Sequence, residues 1–448
     1  MRGLYLIVSV VLVFLLGTLA AVYPEGMTAL LAISLLSALA LFIFRKLSEE
    51  RDFITKVFFA GLILRLLFGA FIYFFEFTDF FGGDALTYDY GGGQIAGYWL
   101  GTVPADDPWY IRSTSASTPG WGMFYFVGGI YWLLGKSFFT AQSICAVIGA
   151  ATAPLIFLCS QRIYHNRNVA KFAAIAVAVS PSFVVWSGQL MKDGLIVFLL
   201  VLSVTLVLSL QEKFSYPAVI LLMFTLFAVQ SLRFYIFYMV AIAVVGSFII
   251  GLSNSVASTV RRTVALVAVG LALTYFGVIR DATANFEKWG NLEMLQRSRS
   301  DLTHSADSGF GEEIDVSTTE GAISSIPLGL AYLMLAPFPW EVSSFRQAIT
   351  LPEVLIWWAM IPLLLYGVWY TIMHRLRSAF PALFFSLMLT IAYSIFQGNV
   401  GTAYRQRTQI QVFLLMFVAV GWVLYKERKE DKRLINQSRK QRTGLEAF

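Results

Sequence analysis

Charged residues are scarce in this chain. Only 13% of its 448 residues are Asp, Glu, Lys or Arg, whereas a soluble domain carries about 25%. Hydrophobic residues make up 58%, which is more apolar surface than a soluble fold could bury. This composition excludes a cytosolic enzyme and a disordered chain.

Cysteine and histidine are equally rare. The two cysteines, Cys145 and Cys159, lie in apolar stretches and provide neither a disulfide framework nor a metal cluster. No His/Cys/Asp group has metal-ligand spacing, and neither a Walker A motif nor a dinucleotide-binding glycine motif occurs. The net charge of +6 is interpreted through membrane topology, because Lys and Arg collect on the cytoplasmic side of membrane proteins. No nucleic-acid partner is expected.

Long apolar runs dominate what is present. They predict an all-α, polytopic transmembrane helical bundle of about 12 spans, because one span needs about 20 apolar residues. The first run could be a signal peptide, but a turn and a second long run follow it directly, which favours a retained helix. The runs are 4–23, 27–44, 53–75, 138–158, 169–186, 194–210, 217–229, 234–250, 263–278, 352–370, 380–396 and 408–425.

The distribution of basic residues orients this bundle. With both termini in the cytoplasm, every strong Lys/Arg cluster falls on the cytoplasmic side, including the segment 374–377. One transmembrane domain, 1–425, is then followed by a basic cytoplasmic tail, 426–448. Two large extracytoplasmic loops result, 76–136 and 278–351.

These two loops carry apolar and polar segments of their own. The apolar stretch 120–134 fits this frame only as a re-entrant or interfacial helix, and 326–340 is a second candidate. The Ser-, Gly- and acid-rich stretch 298–325 is expected to be mobile.

Ionisable residues at membrane depth are costly, so they mark candidate functional positions. Arg65 lies inside an apolar run, and the same predicted helix leads to Asp84 and Tyr88. A helix that starts at Asp84 puts both on one face. Asp84 could then act as a general base; the alternative is a helix-capping Asp beside an interfacial Tyr.

Cations form a second candidate group near the extracytoplasmic ends of the runs. Lys192 and Asp193 begin one run, Arg233 lies in a short turn, and Arg405 and Arg407 precede the last run. Arginine forks bind phosphate oxygens in bidentate fashion. These residues are candidate substrate ligands; the alternative is binding of lipid headgroups.

The region 53–210 resembles the GT-C glycosyltransferases, which include protein O-mannosyltransferases and aminoarabinose transferases. The resemblance lies in a spanning helix with an arginine, followed by a loop that opens with Asp-x-x-x-Tyr at 84–88. It continues with Pro-Gly-x-Gly-x-Phe-Tyr at 119–125 and with Ser-Pro at 180–181, followed by Trp-Ser-Gly-Gln-Leu-Met-Lys-Asp at 186–193. Two extra spans precede the motif helix here, which departs from the family pattern.

The resemblance implies a polyprenyl-(di)phosphate-linked sugar as donor and Asp84 as the base that activates the acceptor, with inversion at the sugar. Asp89 is the nearest candidate for the second acid that many relatives carry, and a divalent metal is left open. The partners implied are a glycan, lipid or protein acceptor and membrane lipids, with the active site on the extracytoplasmic face of the cell (inner) membrane.

Two other functions stay open at this stage. A repeat-unit polymerase or an O-antigen ligase also uses lipid-diphosphate donors and extracytoplasmic arginines. A polytopic transporter or lipid flippase also fits the span count, although the two halves of the chain do not match as transporter repeats commonly do.

Overall fold

The computed structural model describes most of the chain. The described residues are 23–115, 118–250, 291–304 and 308–445, with a few isolated positions between 263 and 274, and side chains are described up to 433. All but the last residue of the predicted span 4–23 and most of the predicted span 263–278 therefore lie outside the described residues.

Every regular element in these ranges is a helix, which confirms the all-α expectation. The first eight helices are α1 (Pro24–Leu47), α2 (Arg51–Phe74), α3 (Thr78–Gly82), α4 (Asp84–Trp99), α5 (Pro108–Thr114), α6 (Trp121–Leu134), α7 (Phe138–Tyr164) and α8 (Arg167–Val179). The others are α9 (Pro181–Ser187), α10 (Lys192–Glu212), α11 (Tyr216–Leu232), α12 (Phe234–Ile250), α13 (Leu292–His304), α14 (Thr319–Leu335), α15 (Phe345–Phe396) and α16 (Val400–Leu445).

Six of these helices are long and apolar enough to cross a membrane, namely α1, α2, α7, α10, α15 and α16. A seventh span results if α8 and α9, bent by 56° at their junction, are counted as one. Helix α6 has 14 residues, and α11 and α12 have 17 each, so all three are shorter than a typical span of about 20 residues. The polytopic helical fold is confirmed, and the number of about 12 spans stays a prediction.

The predicted break at 374–377 coincides with a kink in α15. The predicted spans 352–370 and 380–396 lie in the two parts of α15, which meet at a kink where Arg375 has non-helical angles (φ −136°, ψ 19°). Glu353 and Tyr393, one in each part, contact Tyr404 and Gln409 near the start of α16, so the chain reverses its direction at this kink.

Helix α7 forms the centre of the bundle and packs against α1, α2, α8 and α10. Nearly all of its side chains are buried, and its middle part is rich in Ala, Gly, Ser and Thr, which lets neighbouring backbones approach closely. Helix α1 in contrast exposes Leu35, Leu39 and Phe42, as expected for a helix that faces lipid.

The predicted cytoplasmic segments meet at one end of the bundle. There the Arg167 Nη2 and Glu49 Oε2 atoms lie 3.1 Å apart, and Lys171 Nζ lies 2.9 Å from Glu50 Oε2. The predicted tail continues α16 as a helix to Leu445. Asp193 lies at the opposite end, in the first turn of α10, and Asp84 lies near it, because Arg405 contacts both acids.

Both predicted outer loops contain helices: α3 to α6 in the first, and α13 and α14 in the second. The expectation that 298–325 is mobile is corrected for its described residues. Arg299 is buried, and its Nη1 donates to the carbonyls of Ile395 and Gln397 at 2.8 and 2.7 Å. This anchor to the end of α15 is not visible in the polar composition of the stretch.

Candidate active site

A break between helices brings Asp193 into the bundle. After α9 the chain turns back and starts α10 at Lys192. Gly188 permits this turn, because a Cβ there would lie 2.8 Å from the Val184 oxygen and 2.9 Å from the Arg65 oxygen. Asp193 is 0% exposed and lies in the first turn of α10, where the helix dipole favours a carboxylate. A buried negative charge of this kind requires cations nearby.

Two arginines from distant parts of the chain supply them. Arg233, in the turn between α11 and α12, places Nη2 3.0 Å from Asp193 Oδ1. Arg405, in the first turns of α16, places both Nε and Nη2 2.7 Å from Asp193 Oδ2. Each carboxylate oxygen therefore holds one guanidinium through short, charge-assisted bonds.

Arg405 also reaches a second carboxylate. Helix α4 begins at Asp84, as the spacing predicted, and Arg405 Nη1 lies 2.9 Å from Asp84 Oδ2. The Asp84 side chain is 52% exposed, whereas that of Arg405 is 16% exposed. Arg405 thus bridges a buried acid and an accessible one, and we call Asp84, Asp193, Arg233 and Arg405 the bridged cluster.

Three further side chains support the bridged cluster, and sequence reasoning missed them. Arg233 Nη1 donates to the Tyr235 hydroxyl at 3.1 Å and lies 3.4 Å from the Tyr393 hydroxyl. Tyr393 in turn donates to Gln409 Oε1 at 2.6 Å. Their position inside apolar runs was the available signal, since a polar group there needs a partner.

Lys192 stands beside the bridged cluster. Its Nζ lies 5.7 Å from the centre of the Tyr88 ring, a cation–π arrangement. Gly120, with φ +81°, makes room for it, because a Cβ there would lie 2.7 Å from Lys192 Nζ. Burial, together with the neighbouring Asp84, raises the pKa of the Tyr88 hydroxyl above its ordinary value.

The local charge is positive. Lys192, Arg233 and Arg405 surround two carboxylates, and no carboxylate of the described residues forms an ion pair with Lys192. An excess of cationic donors at a partly open site suits an anionic group such as a phosphate. A divalent metal does not fit this donor set: both carboxylates already contact Arg405, and the described part of the chain contains no group of three His, Cys, Asp or Glu side chains suited to a metal.

Arg65 lies behind the bridged cluster. Its Nε donates to Ser187 Oγ at 2.7 Å and its Nη1 to the Ala178 carbonyl at 3.1 Å, at the end of α8. A small cavity beside it is also lined by Asp193 and Thr408. Arg65 therefore fixes the broken α8–α9 segment against the wall of the site.

Asp89 is not brought to the bridged cluster. It accepts a hydrogen bond from the Tyr131 hydroxyl, and its Oδ2 lies 4.0 Å from Lys136 Nζ. These contacts join α4 to α6.

Arg407 also lies apart, although it follows Arg405 by two residues. It is 1% exposed, and its Nη1 donates to the carbonyls of Met334 and Ala336, both at 3.1 Å. Its guanidinium carbon lies 4.9 Å from the centre of the Tyr404 ring. Residues two apart point to different sides of a helix, so Arg407 contacts the end of α14 instead.

A buried acid on α15 forms a further polar cluster that the sequence analysis did not single out. Glu353 accepts hydrogen bonds from Ser180 Oγ and Ser182 Oγ, both at 2.7 Å, from the Ser182 amide at 2.9 Å, and from the Tyr404 hydroxyl. It joins the start of α9 to α16. The signal was an acid inside an apolar run.

No protein-family model and no curated protein matches the chain. Among solved structures, the chain is similar to ArnT from Cupriavidus metallidurans, determined with bound undecaprenyl phosphate, at 15% identity and a TM-score of 0.41 over 71% of this chain and 52% of ArnT. It is also similar to the archaeal oligosaccharyltransferase AglB from Archaeoglobus fulgidus, in complex with an inhibitory peptide and a dolichol phosphate, at 12% identity and a TM-score of 0.40 over 71% of this chain and 43% of AglB.

The chain matches about half the length of each of these proteins. The roles of single residues rest on the geometry of this chain.

Proposed function

We propose that this protein is an integral-membrane glycosyltransferase of GT-C type. It transfers a sugar from a polyprenyl-phosphate-linked donor to an acceptor hydroxyl at the extracytoplasmic face. The observation that carries this proposal is the bridging of the half-exposed Asp84 and the buried Asp193 by Arg405. A proton acceptor, Asp84, and a guanidinium that can bind an anion, Arg405, are thereby in contact at the end of the bundle.

The reaction is a single displacement at the anomeric carbon. The acceptor oxygen forms a bond to this carbon while its proton passes to an Asp84 oxygen. The bond between the anomeric carbon and the phosphate oxygen breaks, and its electron pair leaves with the polyprenyl phosphate. Attack from the face opposite the leaving group inverts the anomeric centre.

The cations stabilise the departing phosphate. Arg405 and Lys192 are both partly exposed. Fixed donors that face the leaving oxygen lower the barrier, because they stabilise the negative charge that develops there. The buried Asp193 holds Arg405 in place through one oxygen and binds the buried Arg233 through the other. In this proposal Arg65, Asp89 and Arg407 position helices and do not contact the donor.

Charge distribution supports the extracytoplasmic location. The bridged cluster lies at the end of the bundle opposite the ion pairs of Arg167 and Lys171 with Glu49 and Glu50. Basic residues collect in the cytoplasm in membrane proteins. Both termini are accordingly cytoplasmic in this proposal.

A transfer assay tests the proposal. The protein in nanodiscs is given polyprenyl phosphates that carry radiolabelled mannose, glucose or aminoarabinose, with a cell-envelope extract as acceptor. We expect labelled product from at least one donor, and loss of activity by about 10²–10⁴-fold in Asp84→Asn, the range for removal of a general base.

Asp79→Asn is the matched control. This acid is exposed on α3, and its Oδ1 lies beside Gly83, next to Asp84, so the same charge is removed without touching the cluster. Full transfer by Asp84→Asn would refute Asp84 as the base. Movement of the labelled lipid across vesicles without any glycosidic product would instead indicate a transporter.

A further inference from the structure

The two carboxylates hold Arg405 very unequally. Asp193 Oδ2 accepts two N–H groups of Arg405 at 2.7 Å each, inside the bundle and without exposure. Asp84 accepts one N–H at 2.9 Å, and half of its side chain is exposed. The contact to Asp84 is therefore the one that an arriving group can open.

Burial decides which acid can be displaced. Opening the Asp193 contact would leave an uncompensated charge in the interior, which is strongly unfavourable. Opening the Asp84 contact costs little, because water solvates the released carboxylate and partly exposed ion pairs are weak. An anion that enters the site accordingly competes with Asp84 and leaves the contacts between Asp193 and the arginines unchanged.

A phosphate has an advantage over Asp84 in this competition. It offers several charged oxygens, and besides Arg405 Nη1 it can use Lys192, which has no ion-pair partner among the described carboxylates. The ammonium group lies over the Tyr88 ring, in the same helix that Asp84 begins.

We infer that the donor phosphate takes the place of Asp84 on Arg405, and that this exchange frees Asp84 to act as the base. Without donor, Asp84 is the counter-ion of Arg405, and its Oδ2 atom accepts a hydrogen bond from Arg405 Nη1. With donor, the same oxygen is free for the proton of the acceptor. The inference rests on the proposed function and adds to it a coupling: donor binding removes the Arg405 contact from Asp84 Oδ2, which makes this carboxylate a stronger base.

Binding of a polyprenyl phosphate without sugar tests the exchange. The probe is undecaprenyl phosphate, titrated onto the protein in nanodiscs, with its dissociation constant read by native mass spectrometry. Because Asp84 competes with the phosphate, Asp84→Asn and Asp84→Ser are expected to bind the probe about three- to tenfold more tightly. Arg405→Met is expected to bind it at least about tenfold more weakly.

Asp79→Asn separates exchange from a general effect of charge, since it removes an equal charge beside Gly83; unchanged binding is expected. Equal or weaker binding by both Asp84 variants, at unchanged melting temperature, would overturn the exchange and leave the role of Asp84 as base to the transfer assay. Equal tightening by Asp79→Asn would also overturn it. Absence of binding to the unsubstituted protein would overturn the proposed function itself.

Discussion

Two arginines on different sides of α16 have partners of different kinds. On one side Arg405 is bound by the carboxylates of Asp84 and Asp193. On the other side Arg407 donates only to backbone carbonyls, those of Met334 and Ala336. A guanidinium held by a partly exposed acid can exchange this partner for a substrate anion, whereas one enclosed by the end of a helix has no exchangeable partner.

Among the residues that the structure describes, an arginine that donates to carbonyls at a helix end occurs three times. Arg65, Arg299 and Arg407 are each about 1% exposed, and each donates to the last carbonyls of a helix: α8, α15 and α14, respectively. The C-terminal end of a helix carries partial negative charge and unpaired carbonyls, which a cation satisfies. None of the three forms an ion pair with a described carboxylate, so we interpret them as structural caps rather than ligands.

The largest effect is expected from removal of the buried carboxylate that binds Arg405. Asp193→Asn removes the one buried charge that neutralises both Arg233 and Arg405. We expect a loss of about 3–5 kcal/mol of stability, because the buried Arg233 then lacks its counter-ion and Arg405 keeps only the partly exposed Asp84. The measurement is the melting temperature in detergent, together with transfer activity, and both should fall.

Asp79→Asn serves as control here too, and its melting temperature should equal that of the unsubstituted protein. If Asp193→Asn melted at the same temperature as well, the buried ion pairs would not stabilise the site. The contrast between the two sides of α16 would then lose its physical basis.

The next prediction separates the two arginines of α16. Arg407→Met removes the cap of α14 and leaves the carbonyls of Met334 and Ala336 without this donor. We expect a loss of about 1–3 kcal/mol of stability, the cost of buried polar groups left unpaired. The KM for the lipid-linked donor should stay unchanged in the remaining folded protein.

Arg405→Met is the matched variant, with the same substitution two residues away. Its donor KM should rise at least about tenfold, the effect of a lost charge-assisted contact. An equal rise of KM in Arg407→Met would contradict the separation and support the earlier sequence-based expectation that both arginines bind substrate.

The expectation for Arg405 and Arg407 shows which features of the site the sequence predicts and which it does not. Composition and apolar runs predict an all-α membrane bundle because the requirement to pair every backbone group in lipid leaves helices as the ordinary solution. Rare ionisable residues likewise indicated Asp84, Asp193, Arg233 and Arg405, which meet in space. Arg407 was grouped with Arg405 by proximity in sequence, although partners across the bundle decide where each side chain lies.

The missed residues have a related explanation. Tyr393, Gln409 and Glu353 lie inside apolar runs, where an uncharged hydroxyl or amide stands out little and a single acid can be read as a helix end. Their importance depends on contacts over long sequence separations, such as that of Glu353 with Ser182. Likewise, the polar stretch 298–325 looked mobile because nothing in it reveals that Arg299 caps a distant helix.

The smallest expected effects come from removing one hydroxyl on each side. Tyr393→Phe deletes the donor to Gln409 Oε1 and a neighbour of Arg233, and Tyr404→Phe deletes a donor to Glu353 but keeps the ring under Arg407. Each should cost about 0.5–1.5 kcal/mol of stability. Only Tyr393→Phe should also raise the donor KM, because Arg233 shares Asp193 with Arg405. Melting temperature and donor KM measured on both variants decide this, and a KM raised equally by Tyr404→Phe would mean that the two sides of α16 act on the site as one.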